Sequence, residues 1–240
     1  NIADSAVRVM TTEVYTAVPN SIRLIGNRCV EMVPTTDGGR FRMAPDTTWD
    51  TINPANPSAW MDLSEPKSKF DVLTAFSSTP AAGDFVVIGN QSAADVYAGT
   101  NRAAIAAIGA PPSSTLGQSR ITLAQATQFP LGYEGGSFVI VPNAQQAVSY
   151  SCTIGTDANG TGTGVLTRYS KYGFNSAPIC PSAANATAAV VATKLSNCSF
   201  SYDPNQGATQ QSGYLQVQLE LTETKESVTM TFGAHVDNAP

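Results

Sequence analysis

Charge is scarce in this chain. Only 13% of its 240 residues are Asp, Glu, Lys or Arg, about half the ~25% usual in globular domains. Thirteen Lys and Arg against eighteen Asp and Glu leave a net charge of −5. No basic run exceeds two residues, which argues against a nucleic-acid footprint. Histidine occurs once, at His235, so there is no His pair for a metal and no obvious catalytic triad. No apolar run approaches the ~18 residues needed to span a bilayer. No signal peptide is legible, so any targeting segment is expected upstream of Asn1 or removed. A Walker loop, a G-x-G-x-x-G after a strand and a G-x-S-x-G are all missing.

What fills the gap is Thr, Ser, Asn, Gln, Ala and Gly, a neutral polar composition that suits an exported protein. Four cysteines stand at Cys29, Cys152, Cys180 and Cys198. None forms a C-x-x-C redox or zinc pattern. An even number in a polar, low-charge chain favours two disulfides and an oxidising compartment, with buried free thiols as the alternative. Four cysteines allow three pairings, and spacing does not choose among them.

The first eighteen residues, NIADSAVRVMTTEVYTAV, organise the expected fold. Val7, Met10, Val14 and Ala17 recur at helical spacing and form one apolar stripe. Asn1 is a candidate cap, and Pro19 stops the helix because Val18 before it is pushed out of the α region. After Asn20 the chain reads as strand and loop. SIRLI and CVEMV are strand-like, with a Thr-Asp-Gly-Gly turn at 36–39. Residues 45–66 read as an irregular Pro-rich loop carrying Trp49 and Trp60. FDVLTAF, FVVIGN, FVIV, 148–154, 164–172 and NCSFSY read as strands. Two Ala-rich stretches, 103–108 and 183–195, read as short helices. The C-terminus alternates best: Leu215, Val217, Leu219 and Leu221, then a turn near 223–227, then Val228, Met230, Phe232, Ala234 and Val236. That is an antiparallel hairpin with one buried face. The expectation is one α+β domain over 1–240. In it the N-terminal amphipathic helix, 1–18, packs on antiparallel sheet formed by a β-rich body, 19–240.

Few residues suggest chemistry. His235 falls on the solvent face of the last strand by parity. Ser64 and Lys67 match S-x-x-K, but Pro66 sits inside the helical turn that motif needs. Asp157 and Asn159, in the loop GTDANGTGTG, are a weak calcium candidate. Their alternating oxygens suit calcium, yet the distal Glu of an EF-hand is missing and a plain hairpin loop fits better. Trp49 and Trp60 could stack a sugar or anchor their loop. The expectation is no enzyme, no cofactor and no resident metal.

One stretch, VYTAVPNSIRLIGNRCVEMVPTTDGGRFR, resembles the segment that follows the membrane half of the helix in MshO-type minor pilins. These belong to the mannose-sensitive haemagglutinin pilus, a type IV pilus. GDFVVIGN, ADVYAGTNRAAI, VSYSC, GVLTRYSKYGF, NCSFSYDP and HVDNAP continue the resemblance in order, nearly throughout the chain. More distantly the chain looks like the minor pseudopilin GspJ of type II secretion. It departs from the family in lacking the leader with its Gly-Phe cleavage site and apolar half-helix. Its helix is also poorer in charge, and GYEGGSF at 132–138 replaces a stretch with Ser-Pro and Arg.

The resemblance implies a type IV pilin-like fold with Asn1 lying inside a longer helix. It implies the pairing Cys152–Cys198 with Cys29–Cys180. It also implies a non-enzymatic subunit that helps initiate pilus assembly and sits near the tip. Such a subunit is held in the inner membrane facing the periplasm, then becomes extracellular on the pilus. Its partners are other minor pilins and the major pilin, with no nucleic acid. Interface residues are expected on the helix stripe (Val7, Met10, Val14 and Ala17) and in the loop with Trp49 and Trp60. The alternatives are a secreted or tip-located module for glycan or surface adhesion, and a minor pseudopilin of a type II secretion system.

Overall fold

The structure is a computed structural model that describes residues 2–131, 135–206 and 212–238, with side chains for all of these but 2–6 and 206. Asn1, part of GYEGGSF and the end of HVDNAP lie outside the described residues. Helix α1 spans Ile2–Tyr15. It is followed by β1 (Arg23–Leu24), β2 (Cys29–Met32), β3 (Asp37–Arg40), α2 (Thr47–Ile52), β4 (Lys67–Val72) and β5 (Phe85–Val87). Then come α3 (Asp95–Ala98), β6 (Arg102–Gly109), β7 (Ser119–Thr127), β8 (Ser137–Val141) and β9 (Val148–Cys152). The last four strands are β10 (Gly164–Ser170), β11 (Thr187–Gln206), β12 (Ser212–Glu223) and β13 (Glu226–Asp237).

These elements overturn the α+β, pilin-like expectation. The chain is mostly β, 45% strand against 9% helix, in two antiparallel sheets with only short helices. Among the described residues no helix is long and apolar enough to cross a membrane. The N-terminal helix is real but brief. Fourteen residues make about 21 Å at ~1.5 Å per residue. It ends before Pro19 because Ala17 enters a β-bridge with Pro34 and the Val18 amide donates to the Val33 carbonyl at 2.8 Å. The first Ala-rich stretch is strand, and so is the second from Thr187 onward. Residues 103–108 lie in β6, paired with β5 and β7, and 183–195 leads into β11, paired with β10 and β12. Helix propensity of Ala is a fraction of a kcal/mol per residue, and backbone pairing with β5 and β7 in one case and with β10 in the other overrides it.

Two compact units emerge. The first contains Asn1–Pro34, Gln91–Ala98 and Gln145–Ala239. Its seven-stranded sheet runs β1-β2-β9-β10-β11-β12-β13. Met10, Val14 and Ala17 of α1 join Met32, Tyr150, Leu166, Leu195, Phe200, Val217 and Leu219 in one core. The C-terminal hairpin follows its alternation: Leu215, Val217 and Leu219 are buried opposite Ala234, Phe232 and Met230. Its loop is Thr224-Lys225, with φ of 47 and 69, the positive pair of a two-residue type I′ turn. Two disulfides, Cys29–Cys180 and Cys152–Cys198, lie within this unit, in the pairing that the resemblance implies.

The second unit contains Thr35–Asn90 and Gly99–Ala144. Its six strands run β3-β8-β5-β6-β7-β4. The sheet curls into a half-barrel, and the chain just after β3 reaches β4: Phe41 bridges Val72, and the Leu73 amide donates to the Arg40 carbonyl at 2.8 Å. Phe41, Phe70 and Phe138 pack edge-to-face inside, with centroids 6.0 Å and 5.5 Å apart. The Asp-Gly-Gly read as a turn is strand β3, with Gly38 opposite Val139 and Gly39 opposite Phe138. A Cβ at Gly39 would collide with Thr74 Oγ1 and press on the Phe138 ring, so here glycine serves close approach rather than turning.

Asp37 ties residues 77 and 78 to β3. Its carboxylate accepts from the Gly38 amide at 2.7 Å, the Ser77 hydroxyl at 2.9 Å and the Ser78 amide at 2.8 Å. Burial works to raise its pKa, but these donors outweigh burial and hold it below the ordinary carboxylate value. A depressed folded pKa favours the native state above the unfolded pKa, and that gain is lost as pH falls through the folded value. Asp37→Asn is therefore expected to be less stable than the parent at neutral pH, with the difference vanishing on acidification in urea melts. Replacing Cys152 and Cys198 together by Ala releases a loop with a sequence separation of 46. It is expected to lower stability by about 3–4 kcal/mol, read from the same melts.

Candidate functional site

Helix α1 has an inward and an outward face. Inward, Met10, Val14 and Ala17 are buried and Val7 is half-buried. The stripe, expected to pack on its own sheet with one side and meet neighbouring subunits with the other, here lies over β11 and β13 of its own sheet. Charged groups hold it there. The Glu13 carboxylate receives Arg168 Nη2 at 2.5 Å, Arg168 Nε at 3.1 Å and the Tyr150 hydroxyl at 2.6 Å. Arg168 Nη2 also donates to Gln145 Oε1 at 2.8 Å. Burial and then the Glu13 charge push the Tyr150 phenol up. Burial works to lower the Arg168 pKa, yet the carboxylate of Glu13 leaves it raised. Outward, Arg8, Thr12 and Tyr15 recur at four and three residues, with Val9 beside them, all exposed. Val9 is 46% and Tyr15 74% exposed. This narrow face is an accessible surface carried on a rigidly held element.

A second cluster in the same unit escaped sequence reasoning. Arg23 in β1 and Glu31 in β2 are register partners, and Arg23 Nε donates to Glu31 Oε2 at 2.5 Å. The guanidinium also donates to the carbonyls of Ser176 at 3.0 Å and Asn175 at 2.6 Å. Its flat side lies 3.5 Å from the Tyr97 ring centroid. Tyr97 donates to the Ser21 carbonyl at 2.8 Å, and Tyr172 donates to Glu31 Oε1 at 2.9 Å. Burial raises the Glu31 carboxyl above its ordinary value, with Arg23 and Tyr172 opposing it. Burial likewise raises Tyr97 and Tyr172. The signal was available: a lone Arg and a lone Glu in two short apolar strands, eight residues apart, as a tight hairpin requires. Glu31 is fully buried, as is Ser149, whose hydroxyl bonds the Tyr172 hydroxyl, and Tyr97 is nearly so. The cluster pins 95–98 and 175–177 to β1 and β2 and offers no open site.

In the second unit, Trp49 and Trp60 are half-buried. Trp49 lies in α2, capped by Asp46, and its Nε1 donates to the Asn56 carbonyl at 2.9 Å. Lys67 Nζ covers the Trp60 ring at 4.3 Å from its centroid. The fully buried Asp71 holds their loop. It receives Arg120 at 2.6 Å and the Ala59 amide at 2.8 Å, while Arg120 also donates to the Pro57 carbonyl at 3.0 Å. Both tryptophans act as loop anchors, and neither presents an open stacking platform with its partner.

The remaining candidates are scattered. Asp157 Oδ1 accepts the amides of Asn159 at 2.9 Å and Thr161 at 2.8 Å, so the loop's own backbone occupies that oxygen. Among the described residues no group of three His, Cys, Asp or Glu is placed to hold a metal ion. Ser64 donates to Asp62 and Lys67 to Glu65, each at 2.5 Å, which separates the S-x-x-K pair. His235 is exposed, beside the Tyr214 ring at 4.8 Å between centroids. No family model, curated protein or solved structure matches the chain. The resemblance to minor pilins therefore stands on the residues quoted for it.

Glu13 joins the helix to the sheet through its charge. Glu13→Gln keeps the shape and removes the charge-assisted bonds, so a loss of about 1.5–3 kcal/mol is expected in urea melts. A double-mutant cycle with Arg168→Gln should recover part of that loss as coupling between the two residues.

Proposed function

We propose that the chain is a non-catalytic subunit of the minor-pilin type that helps initiate type IV pilus assembly and works near the pilus tip. The observation that carries this is the outward face of α1. Arg8, Val9, Thr12 and Tyr15 stand exposed on a helix whose other face is clamped by Glu13, Arg168 and Tyr150. A helix held this way can offer a partner an apolar ridge without rearranging, which lowers the ordering cost of binding. The occupant that suits it is the helix of a neighbouring minor pilin, packed side by side. The ordered run of resembling segments supports the same assignment. The proposal does not depend on a pilin fold, which this β-rich body does not have. Its site of action is the periplasmic side of the inner membrane before assembly and the pilus afterwards.

The test uses the full-length protein in a piliated host. Val9→Arg with Tyr15→Arg should leave the circular dichroism and melting of the purified domain unchanged and sharply reduce surface pili. A photo-crosslinking residue at position 15 should capture another minor pilin. Normal piliation after deletion of the whole gene would sink the proposal.

A further inference from the structure

We propose that the free edge of β13 is a docking edge for a second copy of this chain, paired antiparallel about a two-fold axis at Phe232. β13 is the last strand of the seven-stranded sheet, and its far counterpart, β1, has only two residues. Long open edges are normally blunted by proline, lysine or a bulge. ESVTMTFGAHVD contains no proline and no lysine, and its twelve pairs with β12 run without a register shift.

The turn decides which backbone groups face outward. In a two-residue hairpin the pair flanking the loop, here Glu223 and Glu226, is hydrogen-bonded. Bonding then alternates, so even-numbered residues of β13 bond to β12 and odd-numbered ones point their N–H and C=O away from the sheet. Ser227, Thr229, Thr231, Gly233 and His235 are all exposed, and no partner for their outward groups exists among the described residues.

The edge complements itself. With the axis at Phe232, Val228 faces Val236 and Met230 faces Ala234 of the other copy. Thr229 then faces His235, Thr231 faces Gly233, Ser227 faces Asp237 and Glu226 faces Asn238. Apolar meets apolar on one face, small polar meets small polar on the other, and no two like charges oppose. Odd residues meet odd residues, so open amides find open carbonyls. Even residues meet even residues, so the two core faces become one continuous surface. A parallel pairing in register would instead set Glu226 against Glu226. Val228, 63% exposed in the single copy, gains an apolar neighbour. The contact is isologous and closes at two copies.

The test is sedimentation of the purified full chain across a wide concentration range, under conditions that keep both disulfides. The parent should double its mass with concentration. Thr231→Pro removes one outward N–H and no bond to β12. It should stay monomeric with unchanged melting, whereas Thr231→Val should dimerise like the parent. Phe232→Cys lies on the axis, where facing Cβ atoms come within disulfide reach, and should give a covalent dimer on mild oxidation. A parent that is monomeric at every concentration overturns the proposal, including in favour of a strand from another protein. So does a Thr231→Pro variant that dimerises normally. A dimer that Thr231→Pro abolishes but Phe232→Cys never crosslinks overturns the Phe232 axis.

Discussion

The first unit depends on the backbone pairing of β11. Its twenty residues pair first with β10, over 187–195, and then with β12, over 195–206, and its side chains Ala192, Leu195, Cys198 and Phe200 enter the core. Wherever such a strand is buried its peptide groups must find partners, because an orphaned buried amide or carbonyl costs about 1–3 kcal/mol. Successive pairing with β10 and then β12 meets that demand. It also positions the Cys198 end of one disulfide and the surface on which α1 rests. The two register shifts within its pairing with β10 and the two within its pairing with β12 let the strand bend while it stays paired.

Charge is scarce, and much of the little there is works inside. Arg23–Glu31, Asp71–Arg120 and Glu13–Arg168 each join segments far apart in sequence or across a hairpin. In all three the arginine also donates to a second group, a backbone carbonyl or Gln145. Buried ion pairs are weak evidence of net stability, since desolvation offsets their attraction. Their geometry instead selects one arrangement of loops. A guanidinium in a forked geometry accepts few alternatives. That explains why the irregular stretches 45–66 and 171–186 have defined seats on their sheets despite little secondary structure.

The two faces of α1 are what the proposed function rests on. Folding consumes the apolar stripe, so any partner must read the outer residues. The apolar character of Val9 and Tyr15 then lies beyond what the helix needs for its own packing. β13 presents the complementary situation in a sheet: side chains of one face are buried while outward backbone groups stay open. The two features use different physics, side-chain packing in one and main-chain hydrogen bonding in the other.

The sequence by itself determined the features that depend on near neighbours. The stripe of α1, the C-terminal hairpin with its turn near 223–227 and the exposure of His235 follow from local periodicity, and the structure has each of them. Tertiary structure decided what depends on distant partners. It made strands of 103–108 and 187–195 because partner strands outbid alanine's preference for helix. It made a strand of Asp37–Arg40 because β8 lies close enough to require glycine. It turned Met10, Val14 and Ala17 of the α1 stripe inward, and it brought Arg23, Glu31, Tyr97 and Tyr172 together from four separate segments. Local preference amounts to tenths of a kcal/mol per residue, whereas an unmade buried hydrogen bond costs several times that. Where the two conflict, the long-range partner prevails.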